Sequence, residues 1–187
     1  CHLGNGSSIS AVKDGKCFDT TMGLTPLEGI IMGTRCGSID PAIIPVIMKS
    51  HNLTPDEVDH LMNKKSGMLG LAGTSDNRTI EQMSKDGDKK AQLVENMLCH
   101  QLTKYIGGFA AAMGGVDAIV FTGGIGENNP HYRSRVAEKI KFLGTEIDED
   151  KNSIRGEEVE ISVPGSKVKM FVIPTNEELV IARDTLE

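Results

Sequence analysis

From Lys89 to Met113 apolar residues return every third or fourth position, at Ala91, Val94, Leu98, Leu102, Tyr105, Ile106, Phe109, Ala110 and Met113. That period predicts one long amphipathic helix, with Gly114-Gly115 as its natural C-terminal stop. The stripe is wide enough to face a core or a partner subunit. Thr54-Pro55-Asp56-Glu57 combines a Thr N-cap, Pro at the first helical position and Glu completing a capping box, which predicts a helix over 55–64. Apolar runs from Pro26 to Met32 and, behind Pro41, from Ala42 to Lys49 predict two shorter helices. Glycines at 67, 70 and 73 predict a break in the chain just before Thr74–Arg78.

The extended signals are of a different kind. Two short runs flank Asp14-Gly15, a dipeptide that predicts a β-hairpin, after a first glycine turn at Gly4-Asn5-Gly6. Val116 to Thr122 is a β-branched apolar run bounded by glycines, as a buried parallel strand would be. Gly123 to Pro130 then reads as a glycine loop, followed by a helix from His131 to Lys141. Two further strands, 158–163 and 167–173, join through Pro164-Gly165, and a helix closes the chain. Alternating β and α signals predict a single α/β domain with a partly parallel sheet.

Composition narrows the function classes. The 187 residues carry 20 Lys and Arg against 26 Asp and Glu, a net charge of −6. The summed field therefore offers no general attraction to nucleic acid or to an anionic membrane, and a phosphate ligand must be held locally. No apolar run approaches the length of a membrane span. The four cysteines, at 1, 17, 36 and 99, form no CxxC pair, and the five histidines lack ligand spacing, so free thiols and no zinc site are expected. A chain that starts at Cys1, with neither an initiator Met nor a signal peptide, reads as a piece of a longer cytoplasmic protein.

Ligands of open α/β sheets collect at the carboxyl ends of strands, where two glycine turns fall. In Gly123-Gly124-Ile125-Gly126-Glu127-Asn128 the absent Cβ atoms would let backbone approach a phosphate or ribose, and the following helix start would supply N–H groups. The pattern is neither Walker A nor GxGxxG, since Asn129 stands where the third glycine belongs, and a plain packing turn is the alternative. Leu3-Gly4-Asn5-Gly6-Ser7-Ser8 is a second candidate cradle, or a simple turn. Arg35, set between small residues in Gly33-Thr34-Arg35-Cys36-Gly37, could extend its guanidinium toward a phosphoryl group or pair with Asp40 at the surface. Asp76-Asn77-Arg78 offers a carboxylate and a guanidinium, with Asp76 also suited to cap a helix. Glu177-Glu178 would place an acid in the first turn of the last helix, which the helix dipole favours without any function, and which could also hold Mg²⁺. Together these residues form the inventory of nucleotide-dependent phosphoryl transfer.

Five segments in register, His2–Gly6, Met32–Pro41, Ser75–Arg78, Phe121–Asn128 and Val172–Glu178, closely resemble the acetokinase family over the whole chain. The resemblance implies one lobe of the duplicated actin and sugar-kinase type of α/β fold (ribonuclease H-like), a mixed sheet flanked by helices. It also implies reversible phosphoryl transfer between ATP and acetate, giving ADP and acetyl phosphate, with Mg²⁺. By that likeness His2, Leu3, Gly4, Asn5 and Gly6, Asp76, Asn77 and Arg78, and Gly124, Ile125, Gly126, Glu127 and Asn128 bind nucleotide. Arg35 is the catalytic residue that stabilises the transition state, and Glu177 is the magnesium-associated acid. Asn77 departs from the family, which usually carries a hydrophobic or aromatic residue there. The family's first phosphate-binding segment, its catalytic Asp and its acetate-side Arg and His would precede Cys1. The chain is thus expected to be the carboxyl-terminal half of a cytoplasmic, homodimeric kinase. A kinase of propionate or butyrate, or a non-catalytic dimerisation module, is the competing reading.

Overall fold

The computed structural model describes residues 1–186, without the side chains of Glu177, Val180, Ile181, Asp184 and Leu186. β1 (His2–Leu3) turns back through Gly4–Gly6 into β2 (Ser7–Ser8), with Leu3 opposite Ser7. β3 (Ser10–Lys13) and β4 (Lys16–Thr20) form the expected hairpin. Asp14 and Gly15 both take positive φ, 53° and 73°, the conformation that a type I′ turn requires of its two central residues.

Five helices come next: α1 (Ile43–His51), α2 (Pro55–Lys64), α3 (Gly67–Ala72), α4 (Asn77–Lys85) and α5 (Lys89–Met113). α2 and α5 have the ends read from the sequence. In α2 the Thr54 side chain accepts from Glu57 N while the Glu57 carboxylate accepts from Thr54 N, a complete capping box. In α5 Asp88 caps the N-terminus, and Gly114 closes the C-terminus at φ 82°. β5 (Ala118–Phe121), α6 (Gly123–Asn128), α7 (Pro130–Lys139), α8 (Glu149–Asn152), β6 (Val159–Glu160), β7 (Lys169–Val172) and α9 (Glu177–Leu186) complete the chain.

β5 pairs in parallel with β7, Ile119 opposite Met170, and β6 lies antiparallel on the far side of β7. β1 extends this sheet on its other edge. Leu3 N donates to Thr122 O at 2.8 Å and Thr122 N to Cys1 O at 2.9 Å, a parallel bridge. The resulting order, β2-β1-β5-β7-β6, is a mixed sheet of the kind expected. α5 supplies the central wall of the core. Val94, Leu98 and Leu102 are buried with Met68 of α3, Ile80 of α4 and Val136 of α7, and Phe121, Met170 and Val172 of the sheet belong to the same cluster. The long apolar stripe thus faces this chain's own interior.

Three expectations are corrected. Residues 26–32 are not helical: their backbone donors go elsewhere, Gly29 N to Ser38 Oγ, Ile31 N to the Gln101 side chain and Met32 N to Arg35 O. The run is apolar because Ile30, Ile31 and Met32 pass through the interior. Gly67 and Gly70 do not break the chain but belong to α3, whereas Gly73, at φ 79°, ends that helix just before Thr74 as expected. A Cβ on Gly67, itself at φ 60°, would stand 2.2 Å from Met32 O and 2.6 Å from Arg35 O, so glycine lets this helix approach the Arg35 loop closely. The segment after β5 is likewise a short helix, α6, rather than a loop.

Candidate functional site

At the end of the sheet where β1 and β5 meet, an open cleft of about 450 Å³ is lined by His2, Gly123, Gly124, Glu127, Thr175, Asn176 and Glu178. The strands deliver these residues directly. His2 lies beside Thr122 in the parallel bridge, and Gly123 sits on the backbone of Leu3: φ is 76°, and a Cβ there would fall 2.8 Å from Leu3 O. Glycine at 123 is thus a packing requirement. Gly124 differs, because it is exposed and a Cβ there would meet nothing within 4 Å. Its bare backbone faces the cleft.

The first amide of α6 is already engaged. Gly123 N donates to Glu127 Oε1 at 2.8 Å and to Thr175 Oγ1 at 3.2 Å, and Thr175 N donates to the same Glu127 oxygen at 2.9 Å. The Thr122 and Thr175 hydroxyls close the junction. The N–H supply expected of this turn is therefore partly consumed inside the protein.

The other candidate segments border the same corner. The β1–β2 turn is held by Ser7 Oγ, which accepts from Gly4 N and donates to Gly4 O. Asn5 O accepts from Gly33 N at 3.0 Å, and a Cβ on Gly6 would touch the Arg35 guanidinium at 3.4 Å. Arg35 does not pair with Asp40. Its Nη1 donates to Pro26 O at 3.1 Å and lies 3.5 Å from Met32 Sδ, and its Nε and Nη2 have no hydrogen-bond partner among the described residues. That leaves a fork of free donors above the Gly4–Gly6 turn.

A Cβ on Gly33 would also meet Ser75 at 3.4 Å, bringing in the segment before α4. Asp76 caps α4 through Arg78 N and pairs with the Arg78 guanidinium at 3.3 Å. Arg78 holds the Asp76 carboxyl below its ordinary range, first through the side-chain hydrogen bond. The pair is exposed, so it contributes little stability. Asn77 accepts from the buried Tyr132 hydroxyl at 3.2 Å, and Asn129 donates to Glu81 at 3.3 Å, tying α4 to the α6–α7 junction. The side chain of Glu177 lies outside the described residues; Glu178 lines the cleft.

Sequence reasoning missed the support beneath α6. Arg133 is fully buried and donates to Gly126 O (2.7 Å), Glu127 O (2.9 Å), Asn152 Oδ1 (2.7 Å) and Asn152 O (2.6 Å). Burial, with a smaller effect of Arg155, lowers its pKa to about 10, so it remains charged at neutral pH. Among the described residues no group of three or more His, Cys, Asp or Glu gathers as a metal cage, no helix is long and apolar enough to cross a membrane, and all four cysteines are free.

The fold is that of an α/β lobe of the actin and sugar-kinase type. The chain belongs to the acetokinase family, whose model matches residues 1–183. It is 58% identical over 187 residues to an acetate kinase of Carboxydothermus hydrogenoformans, covering 100% of this chain and 47% of that relative. Among solved structures it is similar to an acetate kinase of Porphyromonas gingivalis (46% identity, TM-score 0.95, 99% of this chain and 47% of that one). It is also similar to a propionate kinase of Francisella tularensis (43%, TM-score 0.91, 98% and 47%). The chain spans about half the length of the curated relatives it matches.

Proposed function

We propose that the protein carrying this chain transfers a phosphoryl group reversibly between ATP and acetate, and that this chain is its nucleotide-binding lobe. The observation that carries the reading is the chain of direct contacts joining five separate segments at one corner of the sheet, with Gly124 bare at the cleft and the Arg35 guanidinium against Gly6. In this reading His2–Gly6, Asp76–Arg78 and Gly124–Asn128 hold the nucleotide. In-line transfer between a carboxylate and a nucleoside diphosphate brings anions together, and Arg35 offsets that repulsion with a fixed charge and directed donors.

The cleft suits Mg²⁺. Glu178 lines it, and carboxylates are the hard oxygen donors this ion takes, one or two at a time beside substrate phosphates and water. Glu177, at the start of α9, is the residue proposed to associate with it, and the ion bound with nucleotide would neutralise phosphate charge. The reading extends to a cytoplasmic homodimer, with exposed Val12 and Phe18 of the β3–β4 hairpin and Val46 of α1 as the apolar groups available for association.

A coupled assay on the full-length protein, with acetate, propionate and butyrate against ATP and pyrophosphate, tests the proposal. Acetate and ATP should give the highest kcat/KM, and no turnover with any pair sinks it. The propionate kinase among the similar structures supports a second reading, a longer short-chain acid, which the same assay separates. A non-catalytic dimerisation module would leave the protein dimeric but without turnover.

A further inference from the structure

One carboxylate oxygen joins two segments that are 52 residues apart in sequence. Glu127 Oε1 accepts from Gly123 N at 2.8 Å and from Thr175 N at 2.9 Å. The backbone that carries Glu127 is itself fixed from below, because Arg133 Nη1 bonds both Gly126 O and Glu127 O. The side chain is therefore an anchored arm, and the 122–124 and 173–176 segments are the parts it holds. With both amides on one oxygen, that oxygen acts on geometry, while the carboxylate's second oxygen keeps its own acceptor capacity.

We propose that Glu127 is a positioning residue for phosphoryl transfer, its carboxylate clamping the β5–α6 turn to the β7–α9 turn so that the glycine wall and the start of α9 keep one spacing. This rests on the phosphoryl-transfer reading above. Bonds to a charged acceptor are the stronger kind, but here reach matters as much as charge. Glutamine keeps a carbonyl at the same distance, whereas aspartate keeps the charge and withdraws it by one methylene.

The test has two arms, both on the full-length protein. In the first, amide hydrogen exchange is followed without nucleotide. Glu127→Ala should accelerate exchange at Gly123 and at Thr175 together, by at least about tenfold, and unchanged exchange at Thr175 overturns the clamp. In the second, steady-state kinetics should show the half-saturating MgATP rising about tenfold or more in Glu127→Ala and in Glu127→Asp, with Glu127→Gln nearest the parent. Aspartate outperforming glutamine overturns the proposal, since charge in the cleft would then be what counts. If the alanine variant does not fold, the order of glutamine and aspartate decides alone. A parent protein that neither binds nucleotide nor turns over sinks the phosphoryl-transfer reading, while the exchange arm still decides the clamp.

Discussion

Arg133 and Asn152 grip each other twice in the interior, Arg133 Nε to Asn152 Oδ1 at 2.7 Å and Arg133 Nη2 to Asn152 O at 2.6 Å, with both residues 0% exposed. The guanidinium has no carboxylate partner among the described residues. Its charge is balanced by carbonyl dipoles that would otherwise be buried without donors. Arg133→Met leaves those oxygens unpaired and should cost about 4 kcal/mol of unfolding free energy. Arg133→Lys, which keeps the charge but not the planar fork, should recover only part of that loss. Chemical denaturation of both variants checks the order.

The glycines of α6 separate packing from ligand contact. Gly123→Ala places a Cβ against Leu3 O at a left-handed φ and should destabilise by about 2 kcal/mol or more. Gly124→Ala meets no neighbour and should shift stability by less than about 0.5 kcal/mol, yet raise the half-saturating MgATP several-fold. Thermal melts paired with nucleotide titration read both effects.

Arg35→Ala removes the free fork above the Gly4–Gly6 turn. A fall in kcat of about 10²–10³ is expected, with nucleotide KM changed less than about threefold and the circular dichroism spectrum unaltered. Arg35→Lys should restore little, since a point charge does not reproduce bidentate geometry. Steady-state rates at saturating acetate decide it.

The capping box of α2 sets a pH dependence. Glu57 is held below its ordinary value of 4.5, chiefly by the hydrogen bond from Thr54 N. A lowered folded pKa means stability that is present above the unfolded value and lost as pH falls through the folded one. Thr54→Ala keeps the helix but removes part of this effect, so its stability should fall less steeply than the parent's between pH 5 and pH 3. Urea midpoints across that range measure the slope.

Thiol labelling should rank the cysteines by environment. Cys99 is fully buried on α5, and desolvation pushes its thiol up to about 11, so it should stay unlabelled in the folded protein at pH 8. Exposed Cys17 should react readily. Mass spectrometry after brief alkylation distinguishes them, and Cys99 labelled first contradicts the packing of α5.

What could be read from the sequence depended on how local the cause was. The limits of α2 and α5 were legible because Thr54, Pro55, Glu57 and Gly114 act within one helical turn of themselves. The 26–32 segment misled because Ile31 is tied to Gln101, 70 positions away, and no nearby residue records that partner. The glycine turns were legible as candidate cradles, but the engagement of Gly123 N by Glu127 and Thr175 is a tertiary fact. Arg133 sits among Ser134, Arg135 and Glu138, a polar stretch that reads as surface. Its partners Gly126, Glu127 and the more distant Asn152 make it interior.

The seat of β1 beside β5 also governs when the site can come into being. Cys1 N reaches Val120 O across 119 residues, so the edge that presents His2 and supports Gly123 cannot close until β5 exists. Contacts of such separation carry a large loop-closure cost and slow folding. During synthesis at roughly 5–20 residues per second, the His2–Gly6 turn must wait several seconds or more without its neighbour, while α2 and α5 can nucleate as they emerge. Helices first and cleft last is the assembly order this connectivity imposes.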